Sequence, residues 1–234
     1  MAYLILGVVA GLAAIERKGF LQAMLSRPIV LGPLVGWALG DPAGGLLLGV
    51  PLELLWLGAV NLGAAVPVHE ALGTAGVVGG AVLSAKRMGV PLTLEIATLA
   101  ILVAVPVAFL GRLGEKGVEV FNERIASRAE LELSGHHLRA ATRCNLYGLG
   151  ASFLLSAVLA PAAAALTARV VPAVLRALPG LASPLRVGFF SLATVACAAG
   201  AKALRARAVP VSFFGAAAAT AVVGLASVLA GRAL

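Results

Sequence analysis

Polar positions are sparse in this chain and fall mostly between apolar runs rather than within them. The runs are rich in Leu, Val and Ala and lack the period-2 alternation of a membrane β-strand, so the spans are expected to be helical. Residues 2–15 fall short of the roughly 20 residues that cross a bilayer at about 1.5 Å each. They read either as a tilted span continuing through Glu16-Arg17-Lys18 or as half of an interrupted one. A short amphipathic connector at 19–26 leads to Ser26-Arg27-Pro28, where proline favours a helix start.

Residues 27–70 are almost wholly apolar, yet glycine and proline break them repeatedly. The run at 28–40 ends at Asp41-Pro42, which predicts a turn whose aspartate caps the next helix. A second run, 44–57, carries Pro51 and the acid Glu53, and 61–67 is not expected to be regular helix throughout. Short apolar segments interrupted in this way predict broken or re-entrant helices of the kind that line transport sites.

Beyond this stretch, 72–83 is glycine-rich and suited to close helix packing, with Lys86-Arg87 closing it. Residues 91–110 predict a full span with Glu95 near its start and a kink at Pro106. The segment 112–143 is dense in charge of both signs. Its apolar positions (Val118, Phe121, Ile125, Leu131, Leu133 and Leu138) predict one or two amphipathic helices on the membrane surface or on a partner, broken near Ser134-Gly135. Residues 146–178 predict a span with bends at Pro161 and Pro172, Pro179-Gly180 a break, and 182–201 and 209–229 two further spans. The expected fold is therefore all-α and polytopic, with broken or re-entrant helices and an amphipathic cytoplasmic segment. It reads as one membrane domain over 1–234, divided into N-terminal helices (1–111), a polar connector (112–143) and C-terminal helices (144–234).

Composition strengthens this picture. At 61% hydrophobic and 12% charged residues the chain departs far from the about 45–50% and about 25% of soluble domains, so it must bury its surface in lipid. The net charge of +8 does not point to nucleic acid, because the basic residues sit mainly at the ends of apolar runs, where they set topology. The basic residues of 112–143 place that segment on the cytoplasmic side. Cys144 and Cys197 are too few and too separate for a disulfide framework. No basic region precedes the first apolar run, so no cleaved signal peptide is expected.

The candidate chemistry lies in the interrupted stretch. A carboxylate placed in the bilayer must be protonated, paired or hydrated, so Glu53 is the foremost candidate, either as acceptor for a polar solute or as a structural acid held by backbone N–H groups. Asn61 can donate and accept at once, which suits hydroxyl-bearing ligands or a helix cap. Gly63, Ala64 and Ala65 would allow a ligand, or another helix, to approach the backbone closely. His69 and Glu70 are expected at the mouth of the broken segment, His69 as a cap or a ligand contact, and Gln22 is a weaker polar candidate. His136 and His137 read as solvated. No metal or cofactor is expected, and nothing resembles a phosphate loop, a nucleophile elbow or a paired-acid hydrolase site.

The runs Leu52-Glu53-Leu54, Leu57-Gly58 and Asn61-Leu62-Gly63-Ala64-Ala65-Val66-Pro67, preceded by Arg27-Pro28, Gly32-Pro33-Leu34-Val35-Gly36 and Leu39-Gly40-Asp41, resemble a known family signature. It is that of the membrane IIC component of the mannose/fructose/sorbose class of bacterial sugar phosphotransferase systems. A looser likeness continues through Leu178-Pro179-Gly180 to Pro210 and Phe213-Phe214. The resemblance implies a multi-pass protein of the bacterial inner membrane that binds and moves a hexose-type sugar and carries no catalytic residue of its own. It would form a hetero-oligomer with a IID membrane subunit and work with IIA and IIB phosphocarrier proteins. The positions matching the family's sugar-site motif are Glu53, Asn61, Gly63, Ala64, Ala65, Val66 and Pro67, with Gln22 and His69 beside them. Two departures stand out: Pro67-Val68-His69 replaces the family's usual acid with a histidine, and the chain stops at Leu234, where relatives generally run further. They motivate an alternative expectation, a transport-inactive IIC-like scaffold or regulatory partner of phosphotransferase proteins.

Overall fold

The computed structural model describes residues 1–18, 23–57, 69–134 and 138–203. Among these residues there is no strand; the elements are α1 (Ala2–Lys18), α2 (Pro28–Ala38), α3 (Pro42–Trp56), α4 (Glu70–Met88), α5 (Leu94–Ser134), α6 (Leu138–Ala177), a 3₁₀ turn at Pro179–Leu181 and α7 (Ala182–Ala203). Among the described residues three helical segments, Leu94–Leu131, Thr142–Ala177 and Pro179–Ala203, are long and apolar enough to cross a membrane, in keeping with an all-α membrane protein.

The helix ends follow the residues expected to make them. Arg27 is extended (φ −67°, ψ 138°) directly before Pro28, which occupies the first turn of α2. The Asp41 carboxylate accepts from the Gly44 N–H at 2.8 Å, capping α3 just before Pro42. Gly89 closes α4 in the left-handed region at φ +67°, beyond the basic pair Lys86 and Arg87. The break at Pro179-Gly180 is the 3₁₀ turn that separates α6 from α7.

α4 is the centre of the bundle. Glu70 through Val82, Ser84 and Ala85 are all buried, so this helix presents no face to lipid. It packs against α1, α2, α3, α5 and α6, and its small residues set the spacing. A Cβ at Gly76 would come within 2.9 Å of Ala163 Cβ, and one at Gly80 within 2.5 Å of Thr167 Cβ. Such contacts leave no room for a side chain between α4 and α6. α1 runs antiparallel to α6, with Gly7 against Ala157 and Pro161 and Gly11 against Phe153. α7 rests on α3 and α5, fastened by Thr98 Oγ1 donating to the Leu185 carbonyl at 2.9 Å and by an ion pair between Arg186 and Glu95.

The polar segment differs from expectation in one respect. It is helical, but it is not a separate helix: α5 runs unbroken from Leu94 to Ser134, and α6 begins at Leu138. The change at Arg112 is one of hydropathy, whereas Glu, Arg, Lys, Ala and Leu all keep high helix propensity, so the backbone has no cause to stop there. At 41 residues α5 is about 60 Å long, roughly twice the hydrocarbon thickness. α5 and α6 together form an antiparallel hairpin, with Gly114 against Leu155 and Gly148 against Asn122. The expected span at 209–229 lies outside the described residues.

Candidate functional site

α2 and α3 form a tight antiparallel hairpin in which Gly32 lies against Gly45 and Gly49. This brings the start of α2 beside the last turn of α3, and so Arg27 beside Glu53. Arg27 Nε donates to Glu53 Oε1 at 2.9 Å, and Nη2 donates to the same oxygen. The other oxygen, Oε2, accepts from the Ile29 N–H at 3.3 Å, in the first turn of α2. Glu53 is thus held by one guanidinium and one backbone donor at a helix N-terminus, where a negative charge is favoured. The side chains are 22% and 14% exposed respectively, so both are largely removed from solvent.

The same guanidinium reaches further. Arg27 Nη1 stands 3.5 Å from Glu70 Oε2, in the first turn of α4. Glu53 and Glu70 flank residues 58–68, so the flanks of that stretch meet on Arg27. With one cation and two carboxylates the trio keeps acceptor capacity that Arg27 alone does not fill. Here the sequence reading was incomplete. It offered Glu53 a solute or backbone donors, and its main partner is Arg27. The available signal was that an acid in an apolar stretch requires a countercharge, and that Arg27 is the basic residue preceding that stretch.

His69 points the other way, into the bundle. It caps α4, its Nδ1 accepting from the Leu72 N–H at 3.2 Å. Because Nδ1 accepts, the neutral ring carries its proton on Nε2, which lies 3.1 Å from Ser156 Oγ and 3.4 Å from Glu115 Oε2. Glu115 in turn pairs with Lys18 Nζ at 2.5 Å. With 1% exposure His69 is a buried cap joining α4 to α5 and α6. On the far side of α1, Glu16 accepts from the N–H groups of Leu25 and Ser26 at 3.3 and 3.0 Å and so fixes the approach to Arg27. Glu115, Lys18, Ser156 and Glu16 had no role in the sequence reading, since their meeting depends on helix packing alone.

Gln22, Asn61, Gly63, Ala64, Ala65, Val66 and Pro67, together with His136 and His137, lie outside the described residues. Cys144 and Cys197 are free thiols, half-buried on α6 and α7. Among the described residues no group of three or more His, Cys, Asp or Glu is placed to hold a metal ion.

The family model of the sorbose-specific IIC component of phosphotransferase systems matches residues 1–188. A putative N-acetylgalactosamine permease IIC component 2 of Escherichia coli (strain K12) is 45% identical over 69 residues, 30% of this chain and 51% of that protein, so the match spans about half the relative's length. Among solved structures, one described as that of a membrane protein matches with TM-score 0.69 and 21% identity, covering 100% of this chain and 95% of the other. The mannose transporter ManYZ in complex with microcin E492 matches with TM-score 0.61 and 22% identity over 100% and 95% of the two chains. At those identities the structural matches speak to the fold.

Proposed function

Since the chain belongs to the sorbose-specific IIC family of sugar phosphotransferase components, we propose that it is the sugar-binding and translocating subunit of a phosphoenolpyruvate-dependent system of the mannose class. The family match across residues 1–188 carries this reading. In it the protein sits in the bacterial inner membrane and pairs with a IID subunit. IIA and IIB proteins deliver the phosphoryl group, and no residue of this chain is phosphorylated. The sugar lies against the segment that follows Glu53, with Asn61 and the backbone of Gly63, Ala64, Ala65, Val66 and Pro67 as contacts and Gln22 nearby. His69 serves the site from behind, as the cap that orients α4. Arg27 holds the Glu53 side chain in place, and the trio of Arg27, Glu53 and Glu70 leaves carboxylate lone pairs able to accept from sugar hydroxyls. The relative named for N-acetylgalactosamine supports an amino sugar as first choice among hexoses.

The test is uptake and phosphorylation of labelled N-acetylgalactosamine, mannose and sorbose by cells lacking their own systems and co-expressing this chain with IID, IIA and IIB. Accumulation of a phosphorylated sugar that Glu53→Gln or Asn61→Ala abolishes, with the complex still assembled, supports both function and site. Uptake untouched by either variant refutes the site. That both Glu53 oxygens already have donors, Arg27 for one and the Ile29 N–H for the other, favours a second reading, a transport-inactive scaffold, which stands if no sugar is taken up by the assembled complex.

A further inference from the structure

Serine and threonine within a helix ordinarily turn the hydroxyl back onto the carbonyl four residues earlier. Ser84, Ser127 and Ser191 do so here, onto Gly80, Glu123 and Val187. Ser156 is turned to His69 instead. Ser152, one turn before it on α6, has no partner among the described residues although it is 1% exposed. Across the hairpin Asn122 Oδ1 is equally enclosed and equally unpartnered. Both residues line one cavity of about 510 Å³ between the polar half of α5, the start of α6 and the end of α1. Two unsatisfied polar groups on one cavity mark a place where a hydrogen-bonding molecule belongs.

The chemistry of the walls defines that molecule. Asn122, Asn145 and Ser152 each donate and accept, so they suit groups that do both, above all hydroxyls. Among the described lining residues Lys18 brings the only formal charge, and Glu115 pairs with it at 2.5 Å, so these walls do not call for an anion. Ile125 and Leu149 supply apolar walls for the C–H faces of a ring. The volume falls in the about 300–1,000 Å³ range of small-molecule sites. Ala126 and Asn145 are exposed at the rim, which leaves a way in. We propose that this cavity is a second binding station for a neutral polyhydroxylated solute, separate from the Glu53 site. Resting on the transport reading, it is a waiting position for the transported sugar. Its inner end abuts the Lys18–Glu115–His69 line, which leads to the start of α4 and Glu70.

Cys144 lines the cavity, whereas Cys197 lies on a different groove, between α3 and α7. In the full chain with Cys197→Ser, assembled with its membrane partner, the rate of Cys144 alkylation by N-ethylmaleimide is followed with and without N-acetylgalactosamine, mannose or sorbose. A bound solute at ten times its dissociation constant slows alkylation about tenfold, by the factor 1 + [L]/Kd. The protection is expected to survive Glu53→Gln and to vanish in Asn122→Leu. It should weaken in Ser152→Ala, which removes an unpartnered hydroxyl and so leaves the fold as stable as before. Gly148→Ala is a second probe, since its Cβ would come 3.1 Å from Asn122 Oδ1 and displace the amide. Protection by none of the sugars while uptake proceeds overturns the station and leaves the transport reading intact. Protection that survives Asn122→Leu but disappears with Glu53→Gln overturns it too, because the signal would come from the other site. Protection with no uptake of any sugar supports the station and sinks the transport reading.

Discussion

Glu53 and Glu70 belong to different helices yet meet on one guanidinium, Glu53 at 2.9 Å from Arg27 Nε and Glu70 at 3.5 Å from Nη1. That relationship ties the ends of α2, α3 and α4 into one polar knot within an apolar bundle. It makes Arg27 the residue on which the candidate site depends.

Replacing Arg27 by methionine leaves two buried carboxylates without their cation. Loss of one partner of a buried pair costs about 3–5 kcal/mol, so Arg27→Met should unfold well below the wild type in a thermal melt in detergent. The double variant Arg27→Met with Glu53→Met removes both charges and should recover much of the loss. A double variant no better than the single one would show that Glu53 is not the main partner.

Arg27→Lys keeps the charge and loses the fork. A lysine ammonium is a single point of attachment and cannot serve Glu53 with two nitrogens while a third faces Glu70. The expected result is a folded, membrane-inserted protein whose sugar uptake falls about tenfold or more, the consequence of about 1.4 kcal/mol of lost positioning. Equal uptake by the lysine variant would mean that charge alone matters.

His69→Asn and His69→Leu separate capping from packing. Asparagine can still accept from the Leu72 N–H but falls short of Ser156 and Glu115, whereas leucine loses the cap as well. A lost cap costs about 1 kcal/mol, and Glu115 would be left with Lys18 alone. The leucine variant should therefore melt lower than the asparagine one. The reverse order would show that the cap contributes little.

Gly73 sits where a Cβ would come 2.6 Å from Trp56 Cη2 and 2.8 Å from Ala108 Cβ. Gly73→Ala should lose about 1–3 kcal/mol through overpacking, readable as a lowered melting temperature. Gly89→Ala meets open space but holds φ at +67°, so its cost of about 1–2 kcal/mol comes from the backbone alone. Only at Gly73 should trimming the opposing side chain, as in Trp56→Phe, restore part of the loss.

What could be read in the chain was local. The Asp41 cap, the proline start at Arg27-Pro28, the turn at Pro179-Gly180 and the glycine-rich packing of α4 each follow from a few neighbouring residues. What escaped was relational. Nothing in the spacing of Arg27, Glu53 and Glu70 shows that two helix starts and a helix end converge. The meeting of Lys18, Glu115, His69 and Ser156 needs three helix crossings to arise. The polarity change at Arg112 misled because water and lipid select side chains, while helix continuity is decided by backbone propensity. For the candidate site itself, Glu53 was legible as an acid out of place and Arg27 only as a boundary.

α4 runs through the centre of the molecule, yet it is not among the helices apolar enough to cross a membrane by themselves. Glu70, Thr74, Ser84 and Lys86 lie along a helix whose surroundings are protein almost throughout. Lipid would hold such a helix poorly on its own. Its place in the membrane therefore depends on the helices packed around it, α5 and α6 above all, both of which follow it in the chain.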